Sequence, residues 1–333
     1  MNSDEMARCG ELARRVLDEM NRVVVGKPQA LRMMLAAIVS GGHVLIDDLP
    51  GLGKTLIARS FAAALGLEAK RVQFTPDLLP ADLVGSAVYA MGAGTFEYRP
   101  GPVVTNLLIA DEINRTPPKT QAALLEAMAE GQVSVDGVTR ALPAPFIVLA
   151  TENPIEHEGT YALPEAQLDR FAIRLRLGYL SAAEEKTLLR RRLAGTHVEL
   201  PARRILDAEQ LLRIRAAVDG VTAHDDILEY IVALVRATRN HPQVEVGVSP
   251  RGQLDLLQLS RAQALVQGRD FVVPEDIKSL ATAALAHRIT LRPETWVRRV
   301  RGETIVEEVI GRIPAPRTDR STRNGREVDE LVG

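Results

Sequence analysis

Two short stretches of this 333-residue chain hold residue types that act on phosphate groups. The first is HVLIDDLPGLGKT, residues 43–55, an apolar run that enters a glycine-rich turn ending in lysine and threonine. A cradle for a nucleotide's phosphates needs consecutive backbone N–H groups directed inward at the mouth of a helix. Gly51 and Gly53, without a Cβ, allow that close approach. Lys54 supplies a point charge for the β- and γ-phosphates, and Thr55 a hydroxyl for Mg²⁺. Pro50, Leu52 and Leu56 belong to the same binding segment. The usual spacing is G-x-x-x-x-G-K-[ST], and Asp48 stands where its first glycine belongs. That position lies at the strand exit, where an aspartate can bond to nearby backbone. Its charge would be costly only if the side chain pointed at the phosphates.

The second stretch is LLIADE, residues 107–112, whose acids fall at the carboxyl end of a strand, where ligands of open α/β sheets collect. Asp111 would hold Mg²⁺ through water, and Glu112 would orient or deprotonate an attacking water. Asn153, in TENP after the strand FIVLAT, suits either a γ-phosphate or water contact or a turn before proline. Arg170, in LPEAQLDRF, suits either charge neutralisation in phosphoryl transfer or a surface ion pair with Asp169. Arg251, in GVSPRGQLDLL, opens a helix and could reach the phosphates; its spacing leaves this open.

The elements that must position these residues alternate up to about residue 178. Strand-like runs at 43–47, 71–74, 106–111, 146–151 and 171–177 are separated by helical patterns such as 54–65 and 118–130. That alternation predicts a parallel sheet covered on both faces. Two inserts read as hairpins: 86–100, turning at residues 92–94, and 132–142, turning at Asp136-Gly137. Beyond residue 180 helical runs cover 182–194, 207–218, 225–239, 250–267, 274–287 and 303–312. The expected division is an α/β core over 1–200, an all-helical domain over 201–316 and a polar, disordered tail over 317–333.

Composition narrows the class. A content of 46% hydrophobic and 25% charged residues fits a globular protein with a sizeable core. A net charge of −2 gives no global field toward nucleic acid or anionic lipid. Apolar stretches are too short for a membrane span, and the opening MNSDEMARCGELARR is acidic where a secretion signal is basic, so a cytoplasmic location is expected. The single cysteine, Cys9, excludes an internal disulfide and lacks a neighbouring histidine that would make it a nucleophile.

PGLGKT, LLIADEINRTPPKTQAALLEAMAEGQV, VLATENPIEHEGTYALPEAQLDRF and GVSPRG together resemble the AAA+ ATPases, and more closely the MoxR family. The resemblance spans residues 23 to about 290, and the two hairpins match the inserts of the helix-2-insert branch that includes the magnesium-chelatase small subunit. It implies a P-loop AAA+ core with a central five-stranded parallel sheet and an all-α lid. It also implies ATP with Mg²⁺ as cofactors, sensor 1 at Asn153, an arginine finger at Arg170 and sensor 2 at Arg251. VVVG before the first helix resembles the adenine-contacting segment, which puts Val24, Val25 and Gly26 against the base. An acidic residue at the position of Asp48 is familiar in this family. The resemblance further implies a homo-oligomeric ring, usually a hexamer. It carries a chaperone-like role on partner proteins, often with a von Willebrand factor A domain and sometimes for metal insertion.

Two other functions compete. A non-hydrolysing nucleotide-dependent scaffold or switch would not need Glu112, Asn153 and Arg170 together. A nucleic-acid motor or transcription activator would carry basic hairpin tips or a GAFTGA loop, whereas SVDGVT has an acid at its tip.

Overall fold

The computed structural model describes residues 3–92, 94–154, 160–194, 201–298 and 300–316. In chain order, α1 (Ser3–Val23) and α2 (Pro28–Val39) lead into β1 (Val44–Asp47), α3 (Lys54–Ala64) and β2 (Ala69–Gln73). A short α4 (Pro80–Val84) precedes the first hairpin, β3 (Gly85–Ala90) and β4 (Thr95–Pro100). Then come β5 (Leu107–Asp111), α5 (Pro118–Glu130) and the second hairpin, β6 (Gln132–Val135) and β7 (Val138–Ala141). The core closes with β8 (Ile147–Glu152), α6 (Glu165–Leu168), β9 (Ile173–Leu175) and α7 (Ala182–Leu193).

Five of these strands pair in parallel in the order β2-β5-β8-β1-β9. β1, β5 and β8 are buried at every position, as strands covered on both faces must be. Successive side chains go to opposite faces. Val44 and Ile46 join the cluster under α1, α2 and α3, while Leu45 joins Leu108, Val148 and the α5 residues Leu124 and Leu125 on the other side. The register sets Gln73 opposite Asp111 and Asp47 opposite Glu152, so the polar strand ends lie together along one edge.

Both hairpins form where the sequence places them. At the second, Asp136 (φ 51°) and Gly137 (φ 78°) make the left-handed two-residue turn that matches strand twist. The hairpins are joined where the Arg140 guanidinium lies 4.1 Å over the Tyr98 ring.

The lid comprises α8 (Ala208–Gly220), α9 (Asp225–Arg239), α10 (Pro250–Val266), α11 (Pro274–Leu285) and α12 (Gly302–Arg312), with a short antiparallel ribbon of β10 (Val244–Val246) and β11 (Thr290–Leu291). Side-chain caps start α8 at Asp207 and α10 at Ser249. One apolar cluster is continuous from α1 and α2 into α8, α10 and α11. The tail expected over 317–333 lies outside the described residues. Among the described residues no helix is long and apolar enough to cross a membrane.

Candidate active site

β1 delivers the chain to the cradle, and α3 begins at Lys54 immediately after it. Gly51 and Gly53 both have φ 83°, and no heavy atom lies within 4 Å of where their Cβ atoms would sit. Within the chain, then, it is the left-handed backbone that demands glycine. No side chain caps α3, whose N-cap is Gly53, so its first-turn N–H groups remain available to an anion. Lys54 Nζ donates to the carbonyl of Asp48 and to that of Glu152 (3.0 Å), spanning the ends of β1 and β8. Burial pushes the Lys54 ammonium below its ordinary value, against the pull of Asp48, Glu112, Asp111 and Asp47.

Asp48 faces away from the cradle. Its Oδ2 accepts the N–H groups of Leu177 (2.5 Å) and Gly178 (2.6 Å), and Oδ1 accepts that of Leu49 (2.8 Å). The substituted first position is therefore a tether from the loop to the exit of β9. Asp47 beside it is buried and takes Arg174 and Arg176 on one carboxylate oxygen, at 2.9 Å each. Glu152, with Arg174 at 3.5 Å, has its carboxyl pushed up to about 6 by burial, partly offset by Arg174.

Asp111 ends β5 with Oδ2 3.4 Å from the Thr55 hydroxyl. A hydroxyl and a carboxylate converging at a nucleotide cradle fit Mg²⁺, a hard cation that takes few protein oxygens and keeps waters and phosphate oxygens for the rest. Among the described residues no cluster of three His, Cys, Asp or Glu side chains competes as a metal site. Glu112 is held in a left-handed conformation (φ 59°, ψ 51°) rare for a non-glycine residue. Its N–H donates to Thr151 Oγ1 (2.9 Å), and its Oε2 receives Gln73 Nε2 (2.7 Å) and pairs with Arg115 Nε (2.9 Å). Backbone strain of this kind gathers at functional positions and aims the carboxylate. Asn153 follows β8, buried, with its N–H donating to Asn114 Oδ1 (3.4 Å) and its carbonyl accepting Asn114 Nδ2 (3.1 Å).

Val24, Val25 and Gly26 link α1 to α2, with Gly26 against Glu184 of α7. Arg191 donates to the carbonyls of Val23 (2.9 Å) and Arg22 (3.0 Å), and Lys27 Nζ donates to that of Tyr179 (2.9 Å). A Cβ on Gly26 would meet Glu184 Cδ at 2.4 Å. Tyr179 directly follows the Leu177-Gly178 pair that holds Asp48, so this segment borders the cradle.

Arg170 and Arg251 are elsewhere. Arg170 precedes β9 at the edge where β1 begins, since Ala172 N–H bonds the carbonyl of His43 (2.9 Å). With Gly42, His43, Met128 and Asp255, the two arginines line a cavity of about 150 Å³ at the end of β1 opposite the cradle. Arg170 Nη1 donates to Leu125 O (2.6 Å). His43 Nδ1 accepts Val148 N–H (3.0 Å), so its Nε2 donates to Met128 O (3.2 Å). Burial pushes this imidazole down to about 4, and it stays neutral. The structure thus brings Lys54, Thr55, Asp111, Glu112 and Asn153 to one end of the sheet, and Arg170 with Arg251 to the other.

The sequence reading missed Arg71, Gln73, Arg115, Thr151 and Asn114. Arg71 Nε sits 2.6 Å from Asp111 Oδ2. A signal existed for two of these: Arg71 and Gln73, two apart on a strand, share one face, and the register puts Gln73 beside Asp111.

The chain matches the family model of the ATPase family associated with various cellular activities over residues 43–173, and the AAA lid domain over residues 236–309. The uncharacterized protein YeaC of Bacillus subtilis is 47% identical over 302 residues, covering 91% of this chain and 94% of its own. Chaperone MoxR1 of Mycobacterium tuberculosis is 39% identical over 327 residues, covering 96% and 86% respectively. A crystal structure of a candidate ATPase from Cytophaga hutchinsonii superposes with a TM-score of 0.86 at 38% identity, over 94% of this chain and 98% of that one. A phosphate cradle, an Asp-Glu strand end and a helical lid, with relatives this similar over nearly the full length, place the chain in the MoxR family of AAA+ ATPases.

Proposed function

We propose that the chain hydrolyses ATP to ADP and phosphate within a ring of like subunits and uses the cycle to remodel partner proteins. The observation that carries this reading is the separation of the cradle from the arginine pair by the length of β1. Neither Arg170 nor Arg251 reaches its own cradle, so each serves ATP held by the adjoining subunit. Arg251 is thereby reassigned from its own nucleotide to a neighbour's.

In this reading Lys54 and the α3 N-terminus hold the phosphates, Thr55 and Asp111 hold Mg²⁺, and Val24, Val25 and Gly26 face the base. Bound Mg²⁺ neutralises charge on the phosphate oxygens. Glu112, fixed by Gln73, Arg115 and Thr151, orients the attacking water and accepts its proton. Asn153 steadies the water or γ-phosphate. The similarity to Chaperone MoxR1 supports a chaperone role, and the family resemblance favours a hexamer and partners with a von Willebrand factor A domain, including some that receive a metal.

Complementation tests the reading. Arg170→Ala keeps its cradle, and Lys54→Ala keeps its arginines, so each alone is inactive while a mixture regains steady-state phosphate release. An arginine supplied in this way is worth roughly 10³–10⁵ in rate in GTPases. Full activity of Arg170→Ala alone would reduce it to a structural ligand of Leu125.

A further inference from the structure

The guanidinium of Arg288 is almost wholly buried, with 1% of the side chain exposed, at the junction of core and lid. Its Nε lies 2.9 Å from Asp169 Oδ1 as an ion pair, and its Nη2 donates to Asp255 Oδ2. The same nitrogen donates to the carbonyls of Phe171 (2.9 Å) and Asp169 (3.2 Å). Asp169 immediately precedes Arg170. Asp255 stands four residues after Arg251, one turn along α10. A second tie runs parallel: Ser249 Oγ donates to Asp169 Oδ2 (3.1 Å) while accepting Gly252 N–H (3.2 Å) to cap α10. The motif GVSPRG is legible in these terms. Serine makes the tie and the cap, and a Cβ at Gly252 would meet Arg288 Cδ at 2.8 Å.

Stability alone is a poor reason for this arrangement. Burying a guanidinium is expensive, and replacing buried ion pairs with well-packed apolar groups is often neutral or favourable. What a planar, fixed fork supplies that an apolar side chain does not is register. Here it locks the segment before β9 to the second turn of α10, the two stretches that bring Arg170 and Arg251 to one cavity. Groups acting together on one phosphate must be held to within about 0.5 Å.

We propose that Arg288 is a positioning residue that sets the spacing of Arg170 and Arg251, so that core and lid present a preassembled two-arginine clamp. This rests on the reading that both arginines serve the phosphates of an adjoining subunit's ATP. The arm of the clamp on the lid is then fixed by a residue that touches no nucleotide.

The test uses the full chain with Arg288→Lys, which keeps the buried charge but not the fork, and Arg288→Met. Fluorescent-nucleotide titration should give a cradle affinity within about twofold of wild type, while kcat falls at least about tenfold at unchanged KM, as loss of a transition-state interaction does. Mixing with Lys54→Ala should restore activity to Arg288→Lys, because the neighbour brings a correctly spaced clamp. The double variant Arg170→Ala/Arg288→Lys should be no slower than Arg170→Ala alone, since the two changes disable one unit. Wild-type kcat in both Arg288 variants, with Arg170→Ala inactive, would overturn the positioning role and leave the subunit reading intact. Full activity of Arg170→Ala would remove the reading beneath it. Failure of Arg288→Lys to fold, or additive losses in the double variant, would mark Arg288 as a purely structural ion and also overturn the proposal.

Discussion

The carboxylate of Asp48 accepts the backbone N–H of Leu177 at 2.5 Å, so the first residue of the phosphate loop is anchored to the exit of β9, just past Arg174 and Arg176. The common glycine of such loops cannot make this bond. Asp48→Gly, although it restores the usual motif, should therefore destabilise the protein. Leaving the Leu177 and Gly178 N–H groups without their acceptor costs about 1–3 kcal/mol for each that stays buried. We expect a lower thermal midpoint and severalfold weaker ATP binding; a midpoint at or above wild type would show that the tether is idle.

Glu112→Gln should bind ATP with little loss and release phosphate at least about a hundredfold more slowly, the scale on which general-base loss is felt. The amide keeps the size of the side chain and can still meet Gln73, so the left-handed turn is retained. Phosphate release near the wild-type rate would remove Glu112 from the chemistry.

Stability should fall as pH drops from 6.5 to 5. His43 and His287 are buried with pKa values pushed down to about 4 and about 3 from 6.5. Both are depressed bases, so the unfolded chain binds their protons first, and their contribution is present above 6.5 and lost below it. At about 1.4 kcal/mol per pH unit and group, the two lose about 4 kcal/mol over this window. Glu152 acts oppositely. Its carboxyl is raised from 4.5 to about 6, so its cost is felt above 6 and recedes below, returning roughly 1.4 kcal/mol by pH 5. The histidines win. Urea midpoints at pH 7 and 5 measure the balance, and Glu152→Gln should gain up to about 2 kcal/mol at pH 7 but little below pH 4.5. Equal midpoints at both pH values would contradict the neutral, buried state of the imidazoles.

Polynucleotides should leave the ATPase rate unchanged, given a net charge of −2 and an acidic tip at Asp136 on the second hairpin. A severalfold, salt-sensitive stimulation by single- or double-stranded DNA would turn the assignment toward a motor.

The sheet was legible because β1, β5 and β8 are buried apolar runs that end in polar residues, and the cradle because its glycines, lysine and threonine are contiguous. Asp136-Gly137 announced its own turn. Short elements such as α4, α6 and the β10–β11 ribbon were not legible, since two to five residues hold a conformation only through tertiary contacts. The placement of Arg251 beside Arg170 was hidden for a related reason. They are far apart in sequence and meet at the junction where Arg288, itself unremarked in the sequence, joins Asp169 to Asp255 and Ser249 bonds Asp169.

The apolar cluster shared by α1, α2 and the lid has a mechanical consequence. α2 packs on α10, and Leu31, Leu35, Leu256 and Leu259 are fully buried within that one cluster. Bringing these four to water would cost roughly 1.5–3 kcal/mol apiece, a sum comparable with the whole stability of many domains. The lid therefore cannot swing open like a jaw against its own core. A displacement starting at the cradle would then be carried by core and lid together, as by a lever whose far end is the cavity where Arg170 and Arg251 meet.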